Sequence, residues 1–296
     1  MQGMSSPVKW LPEVTSQRKI RAVARLAIAA RLKRVVKNLK RAVLGIDHQQ
    51  IAIHKLRTWS RRAAAAVQIF WPLLPKKERK WFARKLKKIR RTAGDVRDLD
   101  VMLAQVAGNT TLTRELRRQR TKALRPLEKL HHRLHKRGDF EQRQRRLLKQ
   151  MDQPKQRLGV WAAQRVGKQA AVLLALGSRK LTTPAASHEF RIAGKELRYV
   201  LEIIGRALSS AAVKVDAILC DLQKRIGIIC DHAAAEKMYR QLLTQVRAPE
   251  RKPLLAAIAK AKKEKTRSHK VFLRWWTPPR RIAFRRALAA AGLLQS

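Results

Sequence analysis

The chain has 296 residues, with 69 Lys and Arg against 20 Asp and Glu, a formal net charge of +49. Charge of one sign at that density repels itself and points to a polyanionic partner, while a hydrophobic share of 45% supports a sizeable core and excludes a wholly disordered chain. The uncharged run 63–75 is broken by Pro72 and falls short of the ~20 residues of a membrane helix, and residues 1–13 lack the apolar core of a signal peptide, so no membrane contact and a cytoplasmic location are expected.

Glycine and proline are sparse, 12 and 11, and Ala, Leu, Arg, Lys and Gln dominate, the composition of an all-α protein. No segment alternates as a strand would. From Glu13 to Leu44 the apolar positions Ile20, Val23, Ala27, Ala30, Leu32, Val35, Leu39 and Val43 step by three and four, predicting a long helix with one buried stripe. Breaks are expected at Gly45–Asp47, Pro72–Pro75, Gly94–Asp98, Gly108–Thr111, Gly138–Asp139, Gly177–Pro184, Gly205–Ser210, Gly227–Asp231 and Arg247–Pro253. Asp98 and Asp231, each after a glycine and before a new apolar run, read as helix N-caps. Cys220 and Cys230 are the only cysteines; their apolar neighbours suggest small core residues in a reducing compartment.

A long-period internal repeat organises the chain. His54-x-x-Arg57-x-x-x-Arg61 recurs as His188-x-x-Arg191-x-x-x-Lys195, at an offset of 134. Leu86, Ile89, Gly94 and Asp98 recur as Leu219, Leu222, Gly227 and Asp231, at an offset of 133. The domain reading is an N-terminal extension 1–13, two copies of a four-helix unit at about 14–138 and 141–276, and a basic helical tail 277–296. The copies would form two four-helix bundles with equivalent helices facing across a pseudo-twofold axis.

On a helix, positions i, i+3 and i+7 share a face. His54, Arg57 and Arg61 therefore make a polar ridge, and His188, Arg191, Lys195 and Arg198 extend it in the second copy. Glu196 and Glu202 project off that ridge, which leaves its charges for an external anion. Arginine gives bidentate contacts to phosphate oxygens, and histidine adds a donor, or a charge when protonated.

The segment His54-Lys-Leu-Arg57-x-x-x-Arg61-Arg62, followed by Phe70, Pro72, Leu73 and Leu74 and then by Gly94-x-x-Arg97-Asp98-Leu99-Asp100-Val101, resembles the CHAD domain, the conserved histidine α-helical domain. The second copy, His188-x-x-Arg191-x-x-Gly194-Lys195-x-Leu197-Arg198-Tyr199-x-x-Glu202, is similar to that domain's second signature, and the resemblance spans about 20–276. It implies two four-helix bundles around a basic central pore or groove, inorganic polyphosphate as ligand, association with polyphosphate granules in a bacterial cytoplasm and with granule proteins, and no catalytic activity or cofactor. The ExExK strand of the triphosphate-tunnel domain that often accompanies such relatives does not occur, so a stand-alone domain is expected. Arg97 aligns with Cys230 and Arg62 with Glu196, so Arg62 and Arg97 rank behind the ridge residues as ligand contacts, and Lys88 and Arg91 on the basic segment 76–91 join them.

Other features admit plainer readings. Glu128, His131, His132 and His135 have the spacing of metal ligands, but Lys129, Arg133, Lys136 and Arg137 between them repel a cation, so no metal is expected. Trp275 and Trp276 could stack on bases or close a core. Asp95, Asp98 and Asp100 fit capping and pairing with Arg97 better than acid–base or Mg²⁺ chemistry. No nucleophile–base–orienter set or P-loop is present. The alternative function is nonspecific, weak nucleic-acid binding driven by the charge.

Overall fold

The computed structural model describes residues 11, 14–46, 48–106, 110–136, 138–179, 181–244, 246 and 248–294. Among them are ten α-helices and one short 3-10 turn; the only extended pairing is an isolated bridge between Lys19 and Arg157. The chain divides into two compact units, residues 17–158 and residues 159–296 joined by the N-terminal segment up to Ser16. Of the expected extension 1–13, only Leu11 lies within the described residues. It is buried, and its N–H donates to the Glu202 carbonyl at 3.3 Å, which ties the segment to the second unit.

The first unit comprises α1 (Ile20–Leu44), α2 (Gln49–Ile69), the 3-10 turn Trp71–Leu73, α3 (Lys76–Gln105), α4 (Thr110–Lys136) and α5 (Asp139–Lys149). The α1 stripe is buried at Ile20, Val23, Ala27, Leu32, Val35 and Leu39, whereas Ala30 is exposed and Val43 half-buried, and Ala24, Ile28 and Ala42 complete the buried apolar face. Gly45 closes the helix at φ 67°, a left-handed backbone that glycine adopts without a Cβ penalty. Short α5 carries Asp139 and Glu141 in its first turn and Arg146 and Lys149 in its last, matching the helix dipole. Its Phe140 meets Phe82 edge-on at 5.2 Å, and its Arg143 donates to the buried Glu78 at 3.0 Å, so α5 is anchored on α3.

The second unit comprises α6 (Leu158–Ser178), α7 (Pro184–Leu208), α8 (Ala211–Leu243), α9 (Ala248–Trp275) and α10 (Pro278–Ala290). Thr183 caps α7 by accepting from the Ala186 N–H at 3.1 Å, with Pro184 at the first helical position where its missing N–H is harmless. Four long helices and a short fifth thus recur in order, α10 packing on α8, with Phe284 and Leu288 buried, as α5 packs on α3.

Two expected breaks are absent, while the one expected at Gly205–Ser210 is present at Ser209 and Ser210. Helix α3 runs through Gly94 and Asp98 and α8 through Gly227 and Asp231. Asp98 and Asp231 are therefore interior helix residues and not caps. An interior glycine costs a helix about 1 kcal/mol. The side chains buried along α3 on both sides of Gly94, Phe82, Leu86, Ile89, Val96 and Met102, each contribute more than that. The break expected at 108–111 falls partly outside the described residues, as does Arg247, and α9 continues through Pro253. No helix among the described residues is long and apolar enough to cross a membrane.

Candidate anion-binding ridges

Helix α2 presents His54 at its exposed face and Arg57 and Arg61 half-buried, one and two turns further on. The 3.6-residue period directs Arg57 toward α3, where it lies over the repeated glycine. A Cβ on Gly94 would lie 3.8 Å from Cζ, Nε and Nη2 of Arg57, so the guanidinium lies over α3 at Gly94 with ordinary contact distance to spare. Its Nε is buried without a hydrogen-bond partner, and its Nη1 donates to Asp98, one turn along α3, at 3.1 Å.

The second unit repeats this placement. Arg191 on α7 rests on Gly227 of α8, with Nη2 3.5 Å and Nε 3.8 Å from where a Cβ would stand, and its Nε is likewise buried without a hydrogen-bond partner. His188 is exposed one turn earlier, its Nδ1 3.8 Å from Cys230 Sγ. Burial pushes the Cys230 thiol above its ordinary range, with Asp231 adding to the rise and the Arg191 and Lys195 cations opposing it. That pattern places His188, Arg191 and Lys195 beside the stretch of α8 that holds Gly227 and Cys230.

The remaining candidates separate into two groups. Arg62 lies five positions beyond Arg57, about 140° around the helix by the 3.6-residue period, and stacks on Trp59 at 4.8 Å with Arg34 of α1 over the same ring at 5.8 Å. It faces α1 and not the α3 side. Arg198 is engaged inside its own unit: it donates to Gln223 at 2.8 Å and approaches Glu202 at 3.7 Å and Asp216 at 3.8 Å, all three of them buried. The position 134 before it is Ala64, so this network has no counterpart in the first unit. On α3, Lys88 and Arg91 are exposed and Arg97 is half-buried beside Asp98. The charges of Arg91, Asp98 and Arg57 all act on Asp95, whose carboxyl burial pushes up.

The aspartates of the α3 motif divide by burial. Asp98 is half exposed and pairs with Arg57, whereas Asp100 is buried and held by Arg120 of α4 at 2.6 Å, Arg120 also donating to Gln49 at 2.8 Å. His131 and His135 stack at 5.7 Å, and among the described residues no group of three His, Cys, Asp or Glu could hold a metal ion. Trp276 is a core residue, buried, with its indole N–H on the Gly177 carbonyl at 3.0 Å. Trp275 lies between the guanidinium groups of Arg225 and Arg280, each 4.6 Å from its ring.

The sequence located the two ridges but missed the part played by Gly94 and Gly227. The available signal was a glycine repeated at the same offset as the apolar positions on both of its sides, the mark of a helix that continues.

The CHAD domain family model matches residues 26–240. A crystal structure of the CHAD domain from the plant Ricinus communis is similar in fold, with a TM-score of 0.72 at 17% identity over 97% of this chain and 98% of that one. PptA from Streptomyces chartreusis is similar with a TM-score of 0.58 at 15% identity, over 88% of this chain and 99% of that one. No curated protein sequence matches the chain.

Proposed function

The chain belongs to the CHAD domain family, and on that premise we propose that it binds inorganic polyphosphate, without turnover, on the ridges of α2 and α7. The observation that carries this reading is the duplicated arginine on a helix glycine, Arg57 on Gly94 and Arg191 on Gly227, each flanked by an exposed histidine and a second cation. His54, Arg57, Arg61, His188, Arg191 and Lys195 contact phosphate oxygens. Arg97, Arg91, Lys88 and Arg62 add field around the first ridge, and Arg198 supports the second from within.

Polyphosphate is a thin, flexible strand with one charge per residue and no bases, so it needs spaced cations and no stacking platform. Guanidinium groups with one nitrogen already seated against the protein keep their orientation, and an anion there gains charge-assisted hydrogen bonds together with counterion release. The assignment as a binder rather than an enzyme is supported by two of the α3 carboxylates, since Asp98 and Asp100 are each committed to an arginine. The same reading places the protein at polyphosphate granules in the cytoplasm, among granule proteins. Nonspecific nucleic-acid binding is the weaker reading: the rings of Trp59 and Trp275 near basic surface already carry guanidinium groups, and bases would have to displace them.

A charge-matched pair of variants tests the site. Reversing Arg57, Arg61, Arg191 and Lys195 to Glu lowers the net charge from +49 to +41, and reversing the exposed Lys76, Lys77, Lys80 and Lys87 lowers it equally. Titration with polyphosphate and with DNA of equal phosphate concentration, at physiological salt, should show at least about a 100-fold loss of polyphosphate affinity for the ridge variant and a few-fold loss for the other, given about 1.5–3 kcal/mol per charged hydrogen bond. Equal losses, or tighter binding of DNA than of polyphosphate, would replace this reading with diffuse polyanion attraction. Release of phosphate by the wild type, abolished in the ridge variant, would make it an enzyme.

A further inference from the structure

Away from the ridge, the second unit has an open groove of about 550 Å³ between α6 and α10. Along α6 the lining positions Ala171, Leu174, Ala175 and Ser178 follow i, i+3, i+4 and i+7; along α10 Pro278, Arg281, Ile282 and Arg285 do the same. Each wall is therefore a single helical face. The small side chains of α6 keep the groove open, and its floor is rigid: Trp276 is fixed by its bond to the Gly177 carbonyl and packs against Phe284 at 5.9 Å. Apolar surface continues over the rim, where Val172 is 57% and Ile282 53% exposed.

The charge on the two wall helices has one sign. Between residues 153 and 188, and again between residues 265 and 296, the sequence contains no Asp or Glu. The latter stretch alone carries eight Lys and Arg, of which Arg281 and Arg285 line the groove. An apolar floor gives nothing to a bare phosphate chain, and a concave cleft between two helices takes inserted side chains better than it meets a flat membrane. An apolar trough whose charged lining residues, Arg281 and Arg285, are both basic complements a helix that has apolar residues on one face and carboxylates beside them.

We propose that the α6–α10 groove is a docking site for an acidic amphipathic helix of a partner protein, whose apolar anchors enter over Trp276 and whose flanking carboxylates pair with Arg281 and Arg285. The site is independent of the polyphosphate reading. It would allow one chain to hold an acidic protein segment while its ridges hold another polyanion, with separate residues for each.

The test uses the full chain and two fluorescent 18-residue peptides of identical Leu/Glu composition. One has Leu at i, i+3, i+4 and i+7 spacing, and the other has the same residues scrambled so that no apolar face forms. At physiological salt the amphipathic peptide should bind at least about tenfold tighter by anisotropy. Exposed Ala175→Phe, which fills the trough, and Ile282→Asp, which makes its rim acidic, should each erase that difference, with circular dichroism confirming helicity and polyphosphate affinity unchanged. The ridge variant should retain the preference. Equal binding of the two peptides, or a preference that survives both groove variants, would overturn the proposal. So would binding to anionic phospholipid vesicles that Ile282→Asp abolishes while peptide binding persists, an outcome that would assign the groove to a membrane.

Discussion

In the first unit the arginine that rests on the helix glycine is ion-paired, Arg57 to Asp98 at 3.1 Å. In the second, Asp231 occupies the matching position of α8 and is exposed, and Arg191 forms no ion pair among the described residues. The two units also keep their buried charges in different places. The first holds Asp100 against Arg120 between α3 and α4, and the second holds Arg198 against Glu202 and Asp216 between α7 and α8. What the repeat shares is the ridge and its glycine seat; what it varies is how the surrounding charge is neutralised. Conserved spacing places a guanidinium, and local packing decides which carboxylate it meets.

The largest test of this contrast lies in the cores beneath the ridges. Leu56 and Phe190 are equivalent, 134 positions apart and both fully buried. Phe190 packs on Trp276 at 5.3 Å and lies where a Cβ on Gly177 would stand, 2.9 Å from its ring. Phe190→Ala should cost about 3–5 kcal/mol and Leu56→Ala about 2–5 kcal/mol by denaturant unfolding. A much smaller loss at Phe190 would mean that the Trp276 cluster repacks without it.

Next in size are the glycines, where the sign of the effect should differ. Gly177→Ala forces a methyl group into the Phe190 ring and should destabilise by about 1–3 kcal/mol. Gly94→Ala and Gly227→Ala meet their arginines only at ordinary contact distance, so each should gain up to about 1 kcal/mol from helix propensity. A loss at either would show that the arginine seat is tighter than its distances indicate.

The smallest effects belong to the exposed aspartates of the first ridge. Asp98→Asn frees Arg57 from an exposed pair and should strengthen polyphosphate binding by about two- to fivefold, whereas Asp231→Asn should change it less, because no pair is released. Asp95 adds a pH dependence of definite sign. Partial desolvation raises its carboxyl above the ordinary value, so the folded chain binds the proton more readily than the unfolded one. Stability from this group therefore falls as pH rises from the unfolded value through the raised folded one. Asp95→Asn should raise the thermal midpoint at pH 7 and leave it nearly unchanged at pH 3; a rise at both would indicate packing rather than charge.

The sequence alone determined the helical class, the duplication and the two ridges, because helix periodicity and a fixed offset are properties of residue order. It did not determine that α3 and α8 run unbroken through Gly94 and Gly227, since a glycine in an amphipathic run looks like a stop until the burial on both of its sides is known. Nor could it tell Arg57 from Arg198: each lies on the face of a helix that also carries a ridge histidine, yet one rests on a neighbouring backbone and the other is bound among Glu202, Asp216 and Gln223. The groove between α6 and α10 depends on two segments about a hundred residues apart in the chain meeting with small residues on one wall and arginines on the other. Such pairings are decided by which helices pack together, and that is set by the summed burial of the whole unit rather than by any local spacing.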